Sequence, residues 1–157
     1  MTSFTTPDGT RGPEMRPSGI FRWAMARQVR SVRRRGARGV KPGRMNTLVL
    51  TAIGRRSGRR IETPIGCLVE PDGSWLVCAA AGGAMRHPSW YRNLAAAPDR
   101  ASIFVAGEEI PVRAEELHDA EREAAWQEIV RASPRFAAYA RRTDRLLPVI
   151  RLTRRDA

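Results

Sequence analysis

Short β-prone runs that follow one another through tight turns constrain this chain more than any other feature. Thr47 to Ile53, Thr63 to Val69 and Trp75 to Ala79 are rich in β-branched and apolar residues, and turn residues separate them at Gly54 to Arg60 and at Pro71-Asp72-Gly73. Ala101 to Ala106 and Glu109 to Ala114 read as a second hairpin around Gly107-Glu108, and Leu147 to Leu152 as a last strand. No βαβ alternation runs through the sequence. The pattern predicts an α+β fold built on a small barrel with flanking helices.

The helices are placed by periodicity. Phe21, Met25, Val29 and Val32 recur at helical spacing over residues 20–35, while Arg22, Arg30, Arg33 and Arg34 fall elsewhere around the wheel. Gly36 and Gly39 end that helix. His87-Pro88 to Ala97 forms a short helix opened by Pro88, Asp119 caps another to about Arg131, and a third carries Phe136 and Tyr139. Residues 1–19 hold scarcely any large apolar side chain and are expected to be a disordered tail, which leaves residues 20–157 as a single domain.

The charge is a function clue of limited reach. Lys plus Arg outnumber Asp plus Glu by 28 to 16 and Lys41 is the only lysine, so the cations are guanidinium groups suited to phosphates and carboxylates. Aromatics do not line a basic sheet, which argues against a nucleic-acid binder. No stretch is apolar and long enough to span a membrane and no secretory signal is present, so a cytoplasmic location is expected. The basic amphipathic helix 20–35 has two readings, a helix packed on the barrel or one resting on an anionic membrane surface. Cys67 and Cys78 lack metal-ligand spacing. They fall opposite each other if Asp72-Gly73 centres a tight hairpin, and reduced thiols packed in a sheet are the expected state.

Two segments carry ligand chemistry. The run Gly82-Gly83-Ala84-Met85-Arg86-His87-Pro88-Ser89-Trp90-Tyr91-Arg92-Asn93-Leu94 joins a glycine pair to a proline-opened helix with two aromatics and an amide, which suits a flat polar ligand. The turn Gly54-Arg55-Arg56-Ser57-Gly58-Arg59-Arg60 suits a phosphate or polycarboxylate, with a solvated hairpin tip as the alternative. It lacks the ending of a nucleotide-triphosphate loop. Pro64 marks a strand edge or bulge; His87 reads as a residue that bonds locally at a helix start; Trp90 and Leu94, one turn apart, read as core; Asn93 caps neighbouring loops or contacts a ligand. No nucleophile elbow or paired-histidine metal site occurs, and Glu108-Glu109 and Glu115-Glu116 read as solvated pairs.

These two segments, with Pro134-Arg135-Phe136-Ala137-Ala138-Tyr139 and Thr143-Asp144-Arg145-Leu146-Leu147-Pro148-Val149, resemble the deazaflavin-dependent nitroreductase and quinone reductase family of actinobacteria over roughly Thr47 to Thr153. The resemblance implies a split β-barrel, the six-stranded antiparallel barrel of flavin reductases. It also implies an oxidoreductase that uses reduced coenzyme F-420, an 8-hydroxy-5-deazaflavin with a phosphate and a poly-glutamate tail. The acceptor would be a small molecule, a quinone, nitro compound or activated enone.

By the same resemblance, Arg55, Arg56, Ser57 and Gly58 hold the phosphate and Arg59 and Arg60 lie near the tail, with Ile61 where relatives often carry another arginine. Thr63, Pro64 and Ile65 run under the ring, joined by Gly82, Gly83, Trp90 and Asn93. Ala80 and Ala81 replace a serine and lysine common in relatives, and Ser133 and Phe136 replace tyrosines, leaving Tyr139 as the one phenol to orient substrate in a pocket of Ser133, Phe136 and Tyr139. No metal is implied. Flavin mononucleotide is the alternative cofactor, a non-catalytic coenzyme carrier the alternative function, and either a monomer or a homodimer fits.

Overall fold

The computed structural model describes residues 3–16, 18–39 and 44–156. Helix α1 (Gly19–Arg35) precedes strands β1 (Asn46–Ile53), β2 (Arg60–Val69) and β3 (Trp75–Cys78). Helix α2 (Ser89–Ala96) follows, then β4 (Ala101–Val105), β5 (Glu108–Glu116), α3 (Asp119–Ala132), α4 (Arg135–Arg141) and β6 (Val149–Arg154). The strands close into an antiparallel barrel in the order β1-β2-β3-β6-β5-β4, with β4 returning to β1.

Strict alternation builds the interior. Leu48, Leu50 and Ala52 of β1, Ile103 and Val105 of β4, Ile110, Val112 and Ala114 of β5, and Ile150 and Leu152 of β6 all point into one cluster, and Trp90, Tyr91 and Leu94 of α2 join it. The opposite face of β3 and β6 forms a second cluster in which Leu76, Cys78 and Val149 meet Ala125 and Ile129 of α3 and Phe136 of α4. Helix α1 packs across β1, β2 and β4. Its Arg33 bridges Glu62 at 2.8 Å and Glu109 at 3.3 Å and lies over the Phe104 ring.

Each expected strand and helix is present, and the differences are informative. Helix α1 starts one residue earlier than expected because Ser18 Oγ accepts from the Phe21 amide, and it ends at Gly36 with φ 54°. Only Val32 of its expected apolar stripe is buried, while Phe21 is 40% exposed, because the N-terminal half of α1 extends past the barrel wall. The second hairpin turns on Ala106-Gly107, both left-handed, so that Val105 faces Glu108. Asp119 is not a cap; it is the first residue of α3, at φ 54°, and His118 is the N-cap.

Two expectations are corrected. The loop after β2 is closed by the Glu70 amide donating to Ser74 O, which pairs Leu68 with Leu76 and puts Cys67 and Cys78 one step out of register. Cys67 therefore lies inside the barrel and Cys78 in the second cluster, both as free thiols that burial pushes up to about 12.

The second correction concerns the N-terminus. Residues 3–13, expected to be loose, form a strap along the barrel. Phe4 is 8% exposed and packs on Tyr91. The Thr5 amide donates to Glu116, the Gly9 amide to Met85 O, the Thr10 and Arg11 amides to Asp144, and Met85 N returns a bond to Pro13 O. A polar segment without its own core is held because side chains and carbonyls more than 70 residues away satisfy its backbone.

Candidate active site

The closed barrel is sparsely paired along one seam. Strand β2 pairs with β1 from Arg60 to Cys67, including Pro64 opposite Val49, but with β3 only at Leu68 and Val69. Continued register would set Ala80 opposite Pro64. Instead β3 turns to β6, so residues 60–67 of β2 have a strand neighbour on one side only. Thr63, Pro64 and Ile65 lie on this free stretch, where a buried proline costs no ladder bond.

The arginine turn stands at the start of β2. The Gly54 amide donates to Arg59 O at 2.7 Å, the Gly58 amide to Gly54 O at 2.8 Å, and Ser57 Oγ accepts from the Arg59 amide. A Cβ on Gly54 would sit 2.6 Å from Ser57 Oγ, so a side chain there would push Ser57 away from the Arg59 amide. Arg55, Arg56, Ser57, Gly58, Arg59 and Arg60 are all exposed. Arg56, Arg59 and Arg60 have no ion pair with any described residue. Asn93 braces the turn, since its Oδ1 accepts from the Arg55 amide at 3.2 Å and from Nη1 at 3.0 Å. Asn93 is therefore a cap, and Trp90 is a core residue 9% exposed.

A second group gathers where β3 leaves the seam. Ala81, Gly82 and Gly83 adopt φ 47°, 63° and 85°, a left-handed run closed by bonds from Gly83 N to Ala80 O and from Ala84 N to Ala81 O. The loop lies against α4, since a Cβ on Gly83 would fall 2.4 Å from Tyr139 O, and Arg142 reaches Gly82 O. Phe136 is buried in the second cluster, its ring 5.5 Å from that of Tyr139, while Tyr139 and Ser133 are half-buried. Phe136 thus faces the interior more than a pocket. The turn and the Tyr139 group are separate clusters, linked by β2 and by the segment running from Ala79 into α2.

A buried arginine anchors this loop. Arg145, 4% exposed, donates from Nε to Ala84 O, from Nη1 to Ala79 O and His87 Nδ1, and from Nη2 to Ala80 O, all within 2.7–2.8 Å. Because Nδ1 of His87 accepts from Arg145, Nε2 carries the proton and donates to Thr6 O at 2.8 Å. Burial first, and the Arg145 charge after it, hold His87 below its usual value of 6.5. His87 is a junction between loop and strap, not a local helix residue. Sequence reasoning placed Arg145 in a recurring segment but gave it no role. Its neighbours Thr143-Asp144 and Leu146-Leu147 give no local signal that it is buried.

A cleft of about 480 Å³ opens beside the turn, between the strap and α2, with Asp8, Arg55 and Arg92 on its walls. Among the described residues no cluster of His, Cys, Asp and Glu could hold a metal ion.

Residues 24–154 match the family described as F420H(2)-dependent quinone reductase. An F420H(2)-dependent quinone reductase of Mycobacterium tuberculosis is 33% identical over 117 residues, covering 73% of this chain and 77% of the relative. Among solved structures, one described as an F420-H2 dependent reductase shares 36% identity and a TM-score of 0.62, covering 68% of this chain and 93% of its own. Another, described as a domain-swapped dimer, shares 32% identity and a TM-score of 0.64 over 86% of this chain and 100% of its own.

Proposed function

The chain belongs to the F420H(2)-dependent quinone reductase family, and on that premise we propose that it is an oxidoreductase that binds reduced coenzyme F-420 and reduces a quinone. The observation that supports the site most strongly is the free edge of β2 between an unpaired arginine turn and a left-handed glycine loop. A flat ring with an anionic tail fits that arrangement, because residues 60–67 have a strand neighbour on one side only and the turn offers Arg56, Arg59 and Arg60 without an ion pair to any described residue. The coenzyme supplies the hydride when bound.

The protein's part is to bind, orient and shield. Arg55, Arg56 and Ser57, on the loop end Gly58, hold the phosphate, and Arg59 and Arg60 face the carboxylates. Thr63, Pro64 and Ile65 flank the ring on one side, and Ala80, Ala81, Gly82 and Gly83 present backbone on the other. Trp90 and Asn93 act by packing and by bracing Arg55. Tyr139, half-buried beside Gly83, orients the acceptor; Ser133 and Phe136 support it. A carrier without turnover, a flavin mononucleotide enzyme and a nucleic-acid binder all fit the family less well.

The test is a fluorescence titration with oxidised coenzyme F-420 and, separately, flavin mononucleotide. The wild-type protein is expected to prefer the deazaflavin. Arg55→Ala with Arg56→Ala removes two charge-assisted contacts and is expected to weaken binding by about 100-fold or more with little change in melting temperature. Unchanged affinity would remove the turn from the site.

Peripheral membrane contact is a second reading, supported by the protruding half of α1. Ile20 and Trp23 are 82% and 58% exposed beside Arg22, Arg27 and Arg30, although no described helix is long and apolar enough to cross a membrane. Co-sedimentation with anionic vesicles, lost in Ile20→Ser with Trp23→Ser and absent with zwitterionic vesicles, is the expected result. No sedimentation of the wild type would end this reading.

A further inference from the structure

We propose that the cleft between the strap and α2 is a second anion site, continuous with the arginine turn, in which Arg92 receives the outer carboxylates of the tail, beyond those that Arg59 and Arg60 face. The inference rests on the reading above that the turn binds the phosphate of coenzyme F-420.

Position is the first argument. Arg55 belongs to the turn and also lines the cleft, so a chain leaving the turn past Arg55 enters it. Ala95 and Ala96 form part of the cleft wall on the α2 side, and their small side chains leave room for an extended ligand. Charge is the second argument. Arg55 is held below its usual range by burial first and then by repulsion from Arg56 and Arg92, so three guanidinium groups share this corner. Asp8 is the single carboxylate among the lining residues, which leaves the corner with excess positive charge.

The third argument is the way Asp8 sits. Its Oδ1 accepts from the His87 amide at 2.8 Å and its Oδ2 accepts from Arg92 Nη2. The chain therefore already places one carboxylate between the backbone leading into α2 and the Arg92 guanidinium. That is the geometry an incoming carboxylate would adopt. Asp8 and the tail compete for Arg92, whose side chain is 37% exposed and able to turn toward either.

The competition predicts effects of opposite sign. Affinity would be measured by fluorescence titration for coenzyme F-420 with its glutamate tail and for the same phosphorylated deazaflavin without glutamates. Arg92→Gln is expected to weaken the tailed coenzyme about tenfold and the tail-less one less than twofold. Asp8→Asn is expected to strengthen the tailed coenzyme about threefold, with steeper loss on added salt. Ala96→Glu, which puts a carboxylate on the exposed part of the cleft wall and leaves the strap contacts alone, is expected to reduce the advantage of the tail at least as far as Arg92→Gln does.

Equal losses for both coenzymes in Arg92→Gln, or no loss with the tailed one, would overturn the cleft site while leaving the turn in place. Wild-type protein that binds neither coenzyme would overturn the reading on which the inference rests.

Discussion

Replacing Arg145 with methionine is expected to lower stability by about 4 kcal/mol, the range for stripping a buried charged group from its partners. The guanidinium is 4% exposed and satisfies the carbonyls of Ala79, Ala80 and Ala84. Methionine fills much of the volume but takes the guanidinium donor from the Ala79 and Ala84 carbonyls and from His87 Nδ1, at about 1–3 kcal/mol each before relaxation, while Ala80 O keeps the Gly83 amide. In a chain of this length the melting temperature should fall by roughly 8–16 °C. Arg145→Lys keeps the charge but not the fork, and is expected to recover only part of the loss. A melting temperature unchanged in Arg145→Met would show that the loop holds itself.

His87 gives this prediction a second readout. The imidazole is neutral in the fold and its proton affinity is depressed, so below about pH 6.5 the unfolded chain binds a proton that the folded chain does not. Stability therefore declines as pH falls through 6.5 and levels off once the folded pKa is passed. Without Arg145 the opposing charge and the donor on Nδ1 both disappear, the folded pKa rises, and the acid-side slope should flatten. Melting curves between pH 5 and 8, on the order of five points for each variant, would measure it.

What the sequence made legible, and what it hid, follows from the range of the interactions. Strand alternation is local, so residues such as Leu48, Leu50 and Ala52 announced the barrel wall before any contact was known. The arginine turn and the glycine run were visible for the same reason, as consecutive residues. The strap was not. Its Thr, Ser, Gly and Pro content matches a disordered tail, and its partners Glu116, His87 and Asp144 lie 79 or more residues away.

Phe4 was the one local hint, the single large apolar residue of positions 3–13. Glu116 was misread in the same way, as half of a solvated acidic pair, when it is 2% exposed and Glu115 points outward. Helical spacing placed Phe21 on a packed stripe correctly in angle, yet periodicity carries no information about where along α1 the barrel stops. Register hid the cysteine relation, because a single residue in the Glu70–Ser74 turn decides which face a strand residue meets.

Glu116→Ala is expected to release the strap and to cost about 3 kcal/mol. The carboxylate accepts from the Tyr91 hydroxyl at 2.6 Å, from the Thr5 amide at 3.1 Å and from the Thr6 hydroxyl, while the Glu116 amide donates to Ser3 Oγ at 2.9 Å. Alanine removes three accepting contacts and leaves the Tyr91 hydroxyl buried without one, a loss of about 1–3 kcal/mol for that group alone. Phe4, whose burial is worth about 2 kcal/mol, then has less to hold it against Tyr91.

Because Glu116 is the last residue of β5 and lies beyond Ala114, the last β5 residue of the barrel cluster, the damage should be local. Hydrogen exchange at the Thr5, Gly9, Thr10 and Arg11 amides is expected to accelerate by at least tenfold while amides of β1 and β4 keep their protection, and trypsin should cut at Arg11. Glu116→Gln retains one acceptor and should fall between the two. If strap and barrel amides accelerate together in Glu116→Ala, the strap is part of the cooperative core and Glu116 is a fold residue; if only the strap responds, it is a separable element whose release also frees Arg92 from Asp8.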